Sequence, residues 1–468
     1  MIIGQQRPRG RKMAGSSGIS YREPSGVTMK ISAIIAVIVG VALLVSGFFY
    51  LRDTTGPLLT LAPGEGPISA KREIVLTLQD LGAGLKSLEI SAVQGERTIP
   101  LLARQYPAGS HQARETLRLG QFGLKEGPLK LQLAATDRAL FHFGAGNTTV
   151  LSPSFDYQNK PPAVSVLSTA HNISRGGAGF VVYSVNRELE RSGVVFGDRF
   201  FPGYRQSGDL YACLFAFPFN QAPDSYIPKV LAVDRAGNER LTGIYFHLLP
   251  KSFPSDRIVL SDAFLDKISS EFKDRLPQAK TPLEVFLKAN SELRSHDLKI
   301  LRDCGLKSSP VALWSGSFLR LPNSAPRGSF AQLRSYFYQG KQVDQQTHLG
   351  IDLATLAHTP VPAANSGKVV YADDLGIYGQ CVIIDHGLGL QSLYGHLSRI
   401  GVKAGDPVQK GQIIGNTGDT GLAGGDHLHF GMVISGEQVN PIEWWDPSWI
   451  KNNVTGKLTA AKLPLPAR

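Results

Sequence analysis

Six of the 11 histidines fall between positions 348 and 429: His348, His358, His386, His396, His427 and His429. Imidazole both binds transition metals and moves protons near neutral pH. In Gly425-Asp426-His427-Leu428-His429-Phe430-Gly431 the apolar Leu428, Phe430, Met432 and Ile434 alternate with the histidines. This is the pattern of a strand buried on one face, with both imidazoles leaving the other face together. Such a pair alone is often plain surface, since a metal site needs three or more converging ligands. His348-Leu349-Gly350-Ile351-Asp352-Leu353 offers the rest. Four residues of straight strand cover about 13 Å, too far for His348 and Asp352 to share an ion bound at about 2.0–2.2 Å. The chain must bend between them, and Gly350 is the residue type that allows it.

Two histidines and one carboxylate make a catalytic-type zinc site with a fourth position open to water. Iron, cobalt and manganese are compatible with the same donors. Such a site still needs a base and a group to steady an oxyanion. His396, in Tyr394-Gly395-His396-Leu397, and whichever of His427 and His429 is not a ligand are available for these tasks. His358 reads as a bystander. His386, after Val382-Ile383-Ile384-Asp385 and before Gly387, reads as a turn residue. No HExxH, P-loop or dinucleotide fingerprint occurs.

The elements that must hold these groups are mainly strands. With 42% hydrophobic residues and a mean hydropathy of −0.06, the 468-residue chain is neither disordered nor a multi-span membrane protein. From Pro57 to Pro250 short alternating runs such as Glu73-Ile74-Val75-Leu76-Thr77-Leu78 are broken by Gly, Pro, Asn and Asp, which predicts antiparallel sheets. Ala135-Thr136-Asp137-Arg138-Ala139 recurs 97 residues later as Ala232-Val233-Asp234-Arg235-Ala236. That interval fits one immunoglobulin-like sandwich, hence two in tandem. Ser261–Leu276 and Thr281–Leu301 have helical spacing, the second opened by Thr281-Pro282-Leu283-Glu284.

Before all of this lies an uncharged run, Ile31–Leu51, flanked by Arg7, Arg9, Arg11, Lys12, Arg22 and Lys30. As a helix it spans about 31 Å, the thickness of a bilayer core. The positive-inside rule leaves the basic tail in the cytoplasm and exports the rest. Bulky residues follow where signal cleavage needs small ones, so the segment reads as an anchor. Beyond the tail the charge is ordinary, which gives no support to nucleic-acid binding. Cys213, Cys304 and Cys381 show no paired spacing and carry no functional signal.

Residues 325–445 resemble the M23 family of zinc metallopeptidases, the lysostaphin and LytM-type peptidoglycan endopeptidases. The similarity runs through His348-Leu349-Gly350-Ile351-Asp352, Pro360-Val361-Pro362-Ala363, Ile384-Asp385-His386-Gly387, Tyr394-Gly395-His396-Leu397, Gly415-Asn416-Thr417-Gly418, His427-Leu428-His429-Phe430 and Asn440-Pro441. It implies His348, Asp352 and His429 as ligands of one Zn2+, and His396 and His427 as the catalytic histidines, His427 being the base unless the two exchange roles. It also implies an antiparallel β core with the metal in a groove. Some relatives have lost ligands and only activate amidases; none of these five positions departs from the pattern.

The expected order is a basic cytoplasmic tail (1–30), a transmembrane anchor (31–51), β-sandwiches (57–158 and 160–250), a helical connector (255–305), an M23-like antiparallel β metallopeptidase domain (310–450) and a C-terminal tail (451–468). The expected function is a zinc endopeptidase held in the inner membrane by one span. Its C-terminal region would face the periplasm and cut peptide bonds in peptidoglycan cross-links or stem peptides. The sandwiches offer a surface for an envelope protein partner. The rival reading is a non-catalytic LytM-like module that binds peptidoglycan or activates an amidase.

Overall fold

The computed structural model describes residues 27–221 and 227–464, so the basic stretch up to residue 26 lies outside the described residues. The described chain is mainly β. Val27–Leu51 is a helix whose stretch Ile31–Phe49 is long and apolar enough to cross a membrane. In that stretch Ile34, Leu43 and Leu44 are exposed.

The chain divides into two compact units. The first comprises residues up to 65, 73–118 and 128–155. In it Glu73–Gln79 pairs between Leu58–Ala62 and Gln112–Arg118, while Leu85–Gln94 pairs with Arg97–Gln105 and Gly127–Asp137. The alternation read from sequence is real: Ile74, Leu76 and Leu78 are buried, as are Leu129, Leu131 and Leu133.

The second unit takes in residues 66–72, 119–127 and everything from 156. It opens with two four-stranded sheets. The recurring five residues mark one local structure in both units. Asp137 and Asp234 each end a strand, and their Oδ1 atoms accept the N–H two residues on, Ala139 and Ala236, at 3.0 Å. Asn147 and Asn238 close the same turns on those carboxylates.

The segment expected as a helical connector starts instead as a strand. Ser255–Val259 pairs in parallel with Gln332–Tyr338, which pairs in turn with Lys341–His348. Backbone bonding to the Gln332–Tyr338 edge outweighs a run too short to propagate a helix. The helix Asp262–Phe272 follows, capped by Ser261. Pro282–Lys288 is capped by Thr281, with Glu284 reaching back to the Lys280 N–H at 2.6 Å. A π turn, Ala289–Leu293, then joins it to the helix Arg294–Gly305. Phe264, Phe286 and Tyr336 stack edge to face and fasten these helices to the three-stranded sheet.

Ten further strands form one sheet whose central run is Ala325–Gly328, Ile351–Ala354, Leu428–Ile434, Leu390–Ile400, Gln380–Gly387 and Gly367–Asp374, paired antiparallel. Residues beyond 450 do not trail off as expected. Lys451–Thr455 and Gly456–Ala460 are helical, and Val454, Leu458 and Leu463 are buried in the core. Three apolar side chains at roughly helical spacing are worth more buried than in water.

His386 is a third correction, since it sits in a strand rather than a turn. It is fully buried, with Nδ1 2.8 Å from Ser366 O, Nε2 2.7 Å from Ser392 Oγ and the Phe318 ring across its edge. Burial pushes its pKa down to about 4. The unfolded chain therefore takes up a proton near pH 6.5 that the native fold refuses, and stability falls as pH drops from about 6.5 towards 4, by up to about 3 kcal/mol from this residue. Urea unfolding midpoints should fall between pH 7.5 and pH 5, and His386→Gln should show a flatter dependence whatever its absolute stability.

Candidate metal centre

Strand register sets the row on which the site is built. Asp352 lies opposite Gly328 on one side and His429 on the other, and His429 lies opposite Gly395. His396 follows with a φ of +60°, a backbone conformation rare outside glycine and common where a side chain is re-aimed for function. His348 ends its own strand, the chain turns through Leu349-Gly350, and Ile351 begins the next. The bend expected at Gly350 is present.

It brings His348 Nε2 to 2.9 Å from Asp352 Oδ1. His429 Nδ1 stands 3.1 Å from that oxygen and 3.0 Å from His348 Nε2. Ligands held tetrahedrally at about 2.0–2.2 Å stand about 3.4 Å apart, so the three atoms need only spread slightly to hold one small divalent cation. Two imidazoles and a carboxylate suit zinc better than calcium or magnesium.

Carbonyl groups set the tautomers. His348 Nδ1 donates to Ser329 O at 2.9 Å, which turns Nε2 towards Asp352 and His429. His396 Nδ1 and His427 Nδ1 donate likewise to Thr420 O and Gly425 O, at 2.8 and 2.7 Å. His427 Nε2 lies 3.4 Å from Asp352 Oδ1, and the His396 and His427 ring centroids are 4.8 Å apart. Burial alone would raise the Asp352 pKa, but the charge and hydrogen bonds of His348, with those of His427 and His429, hold it well below the carboxylate range. Burial pushes His429 down to about 4, so its ring is neutral, the form that binds metal.

All five residues singled out from sequence therefore meet at one place. His358 lies beside it: its N–H donates to Asp426 Oδ2 at 3.0 Å and braces the residue before His427. Other contributors were missed. Arg334 donates through Nη2 to Asp352 Oδ2 at 2.6 Å, and a basic residue in an amphipathic strand gives no sign of such a partner. Lys267 and Glu271, from the helix Asp262–Phe272, hold the loop that carries Thr420. Lys267 Nζ bonds Asp419 Oδ2 at 2.7 Å and Ala423 O at 3.1 Å, and Glu271 accepts the Gly421 N–H. Beside the metal-site residues is a cavity of about 250 Å3 whose lining includes Arg294, Arg334, Tyr336, Tyr378 and Leu422.

Residues 346–441 match the description Peptidase family M23. This segment of the chain is a Peptidase M23 domain. It is 41% identical over 95 residues to the DD-carboxypeptidase/endopeptidase Mpg of Neisseria meningitidis, a stretch that is 20% of this chain and 22% of that protein. It is 40% identical over 96 residues to the peptidoglycan DD-endopeptidase ShyA of Vibrio cholerae, again 20% of this chain and 22% of that one. The solved catalytic domain of lysostaphin from Staphylococcus simulans is 30% identical, with 27% of this chain and 96% of that one covered and a TM-score of 0.24. The chain thus spans about a fifth of the length of the curated relatives it matches.

Gly350 tests the fit of the site. A Cβ placed there would collide with Nε2 and Cε1 of His429, whose Nε2 is buried with no protein partner. Its backbone is not left-handed, so the demand is for space alone. Gly350→Ala should stay folded by circular dichroism yet bind zinc at least tenfold more weakly in chelator competition, a loss in the range set by disturbed support of metal ligands.

Proposed function

We propose that this chain is a membrane-anchored zinc endopeptidase that hydrolyses peptide bonds in the cross-links or stem peptides of bacterial peptidoglycan. The convergence of His348, Asp352 and His429 with His396 and His427 carries this reading. His348, Asp352 and His429 would hold the metal, which when bound would supply Lewis-acid polarisation of the scissile carbonyl and activation of water. His427 takes the proton of the attacking water at Nε2. His396 steadies the oxyanion or the leaving amine, and the two roles are exchangeable. Asp352, ionised and shared with Arg334, keeps the row of imidazoles oriented.

The helix Val27–Leu51 supports single-pass anchoring in the inner membrane, with the catalytic region in the periplasm. The name of ShyA, a peptidoglycan DD-endopeptidase, supplies the peptidoglycan context. The β-rich units ahead of the peptidase segment are read as immunoglobulin-like sandwiches that set the reach of the enzyme and offer a face to an envelope protein.

The test is digestion of purified peptidoglycan by the full-length, zinc-loaded chain, with products resolved by mass spectrometry. The wild type should release cleaved stem peptides and stop on chelation. His429→Ala and His427→Ala should each lose at least about 1,000-fold in rate. Equal product release by wild type and His429→Ala, or none by the zinc-loaded wild type, would favour a binding or amidase-activating module instead.

A further inference from the structure

The cavity beside the metal-site residues has a wall that does not come from the matched segment 346–441. Arg294, at the start of the helix Arg294–Gly305, lines it together with Arg334. The two cations differ in what they face. Arg334 is already paired with Asp352 at 2.6 Å. The hydrogen bonds of Arg294 go to uncharged oxygens, Asn290 O at 3.2 Å and Asn290 Oδ1 at 2.5 Å. Its positive charge is oriented by these bonds without being cancelled by them.

The support behind it is built in. Asn290 is fully buried, and its amide is held by Asp344 Oδ2 at 2.5 Å. Asn290 belongs to the π turn Ala289–Leu293, which interrupts the helix one residue before Arg294. Such a π turn is rare and occurs frequently at functional sites. Asp256 also lines the cavity but is exposed. A guanidinium fork held half-buried on the wall of a groove matches a planar carboxylate.

We propose that Arg294 forms, beside Arg334, a subsite for a free carboxylate carried by the substrate within a residue of the scissile amide. This rests on the hydrolase reading above and adds the determinant of substrate choice. A cross-link whose leaving amine belongs to a carboxylate-bearing centre satisfies the fork. A glycyl bridge, with no carboxylate along it, leaves it unused. The carboxylate has two possible sources in stem peptides: the centre that donates the leaving amine and the carboxyl terminus of the stem.

The experiment uses the full-length, zinc-loaded chain in detergent and four substrates: a D-alanyl–diaminopimelate cross-linked dimer, the same dimer amidated at the diaminopimelate carboxylate next to the cross-link, the dimer amidated at its stem carboxyl termini, and a pentaglycine-bridged dimer. Wild type should favour the free acid over one of the amidated dimers by at least about tenfold in kcat/KM, the size of one charge-assisted hydrogen bond. Which amidation matters identifies the source. Arg294→Gln should bring that ratio within about twofold, mainly through KM, with unchanged zinc content, and Arg294→Lys should restore part of it. Equal rates on all four substrates, or an equal fall on all four in Arg294→Gln, would overturn the subsite while leaving the hydrolase intact. No cleavage of any substrate by the wild type would overturn the hydrolase reading and the subsite with it.

Discussion

A buried, ionised carboxylate is the constraint around which the rest is arranged. Asp352 is 7% exposed, and a charge in that position is tolerable only if every side of it is answered. One oxygen faces three imidazoles, of His348, His427 and His429. The other takes the Arg334 guanidinium. Gly328, opposite Asp352 in the register, leaves the room for that ion pair, because a Cβ there would collide with both partners. The same carboxylate thus makes the cluster fit for a cation and requires a glycine in the strand beside it.

The helical segment is part of the site rather than a spacer before it. Lys267 and Glu271 grip the loop 419–423, and Thr420 in that loop fixes the His396 ring through its carbonyl. Ser255–Val259 lies beside the strand that carries Arg334. A segment outside the matched family region therefore orients one proposed catalytic imidazole and supports the strand behind a metal-site carboxylate. The rigidity needed to gather five side chains around one point comes from both sides of the cavity.

Legibility differed by the range of the interaction involved. The alternation in Glu73–Gln79, the caps at Ser261 and Thr281 and the break at Gly350 are local, and each was readable because its cause lies within a few residues. The same holds for the five-residue recurrence at Asp137 and Asp234, where the turn bonds run to the next residues and a nearby asparagine. His386 was misread because an apolar run followed by His-Gly looks like a strand ending. Only its long-range partners Ser366 and Ser392 reveal a histidine inside the sheet. The start of the connector and the buried end of the chain were misjudged for a related reason, since each is decided by a sheet edge or a core that forms elsewhere.

The chain order of residues was enough to name five side chains and the chemistry of their donors, because metal preference and proton transfer are properties of imidazole and carboxylate themselves. It was also enough to mark out one apolar helix and a β-rich interior, since hydrophobic period reports on burial directly. Tertiary structure alone decided that Arg334 meets Asp352, that Lys267 and Glu271 hold the loop behind His396, and that Arg294 opens onto the same cavity. Those pairings join segments up to about 150 residues apart, and nothing in the local pattern of a charged residue says which distant partner will neutralise it.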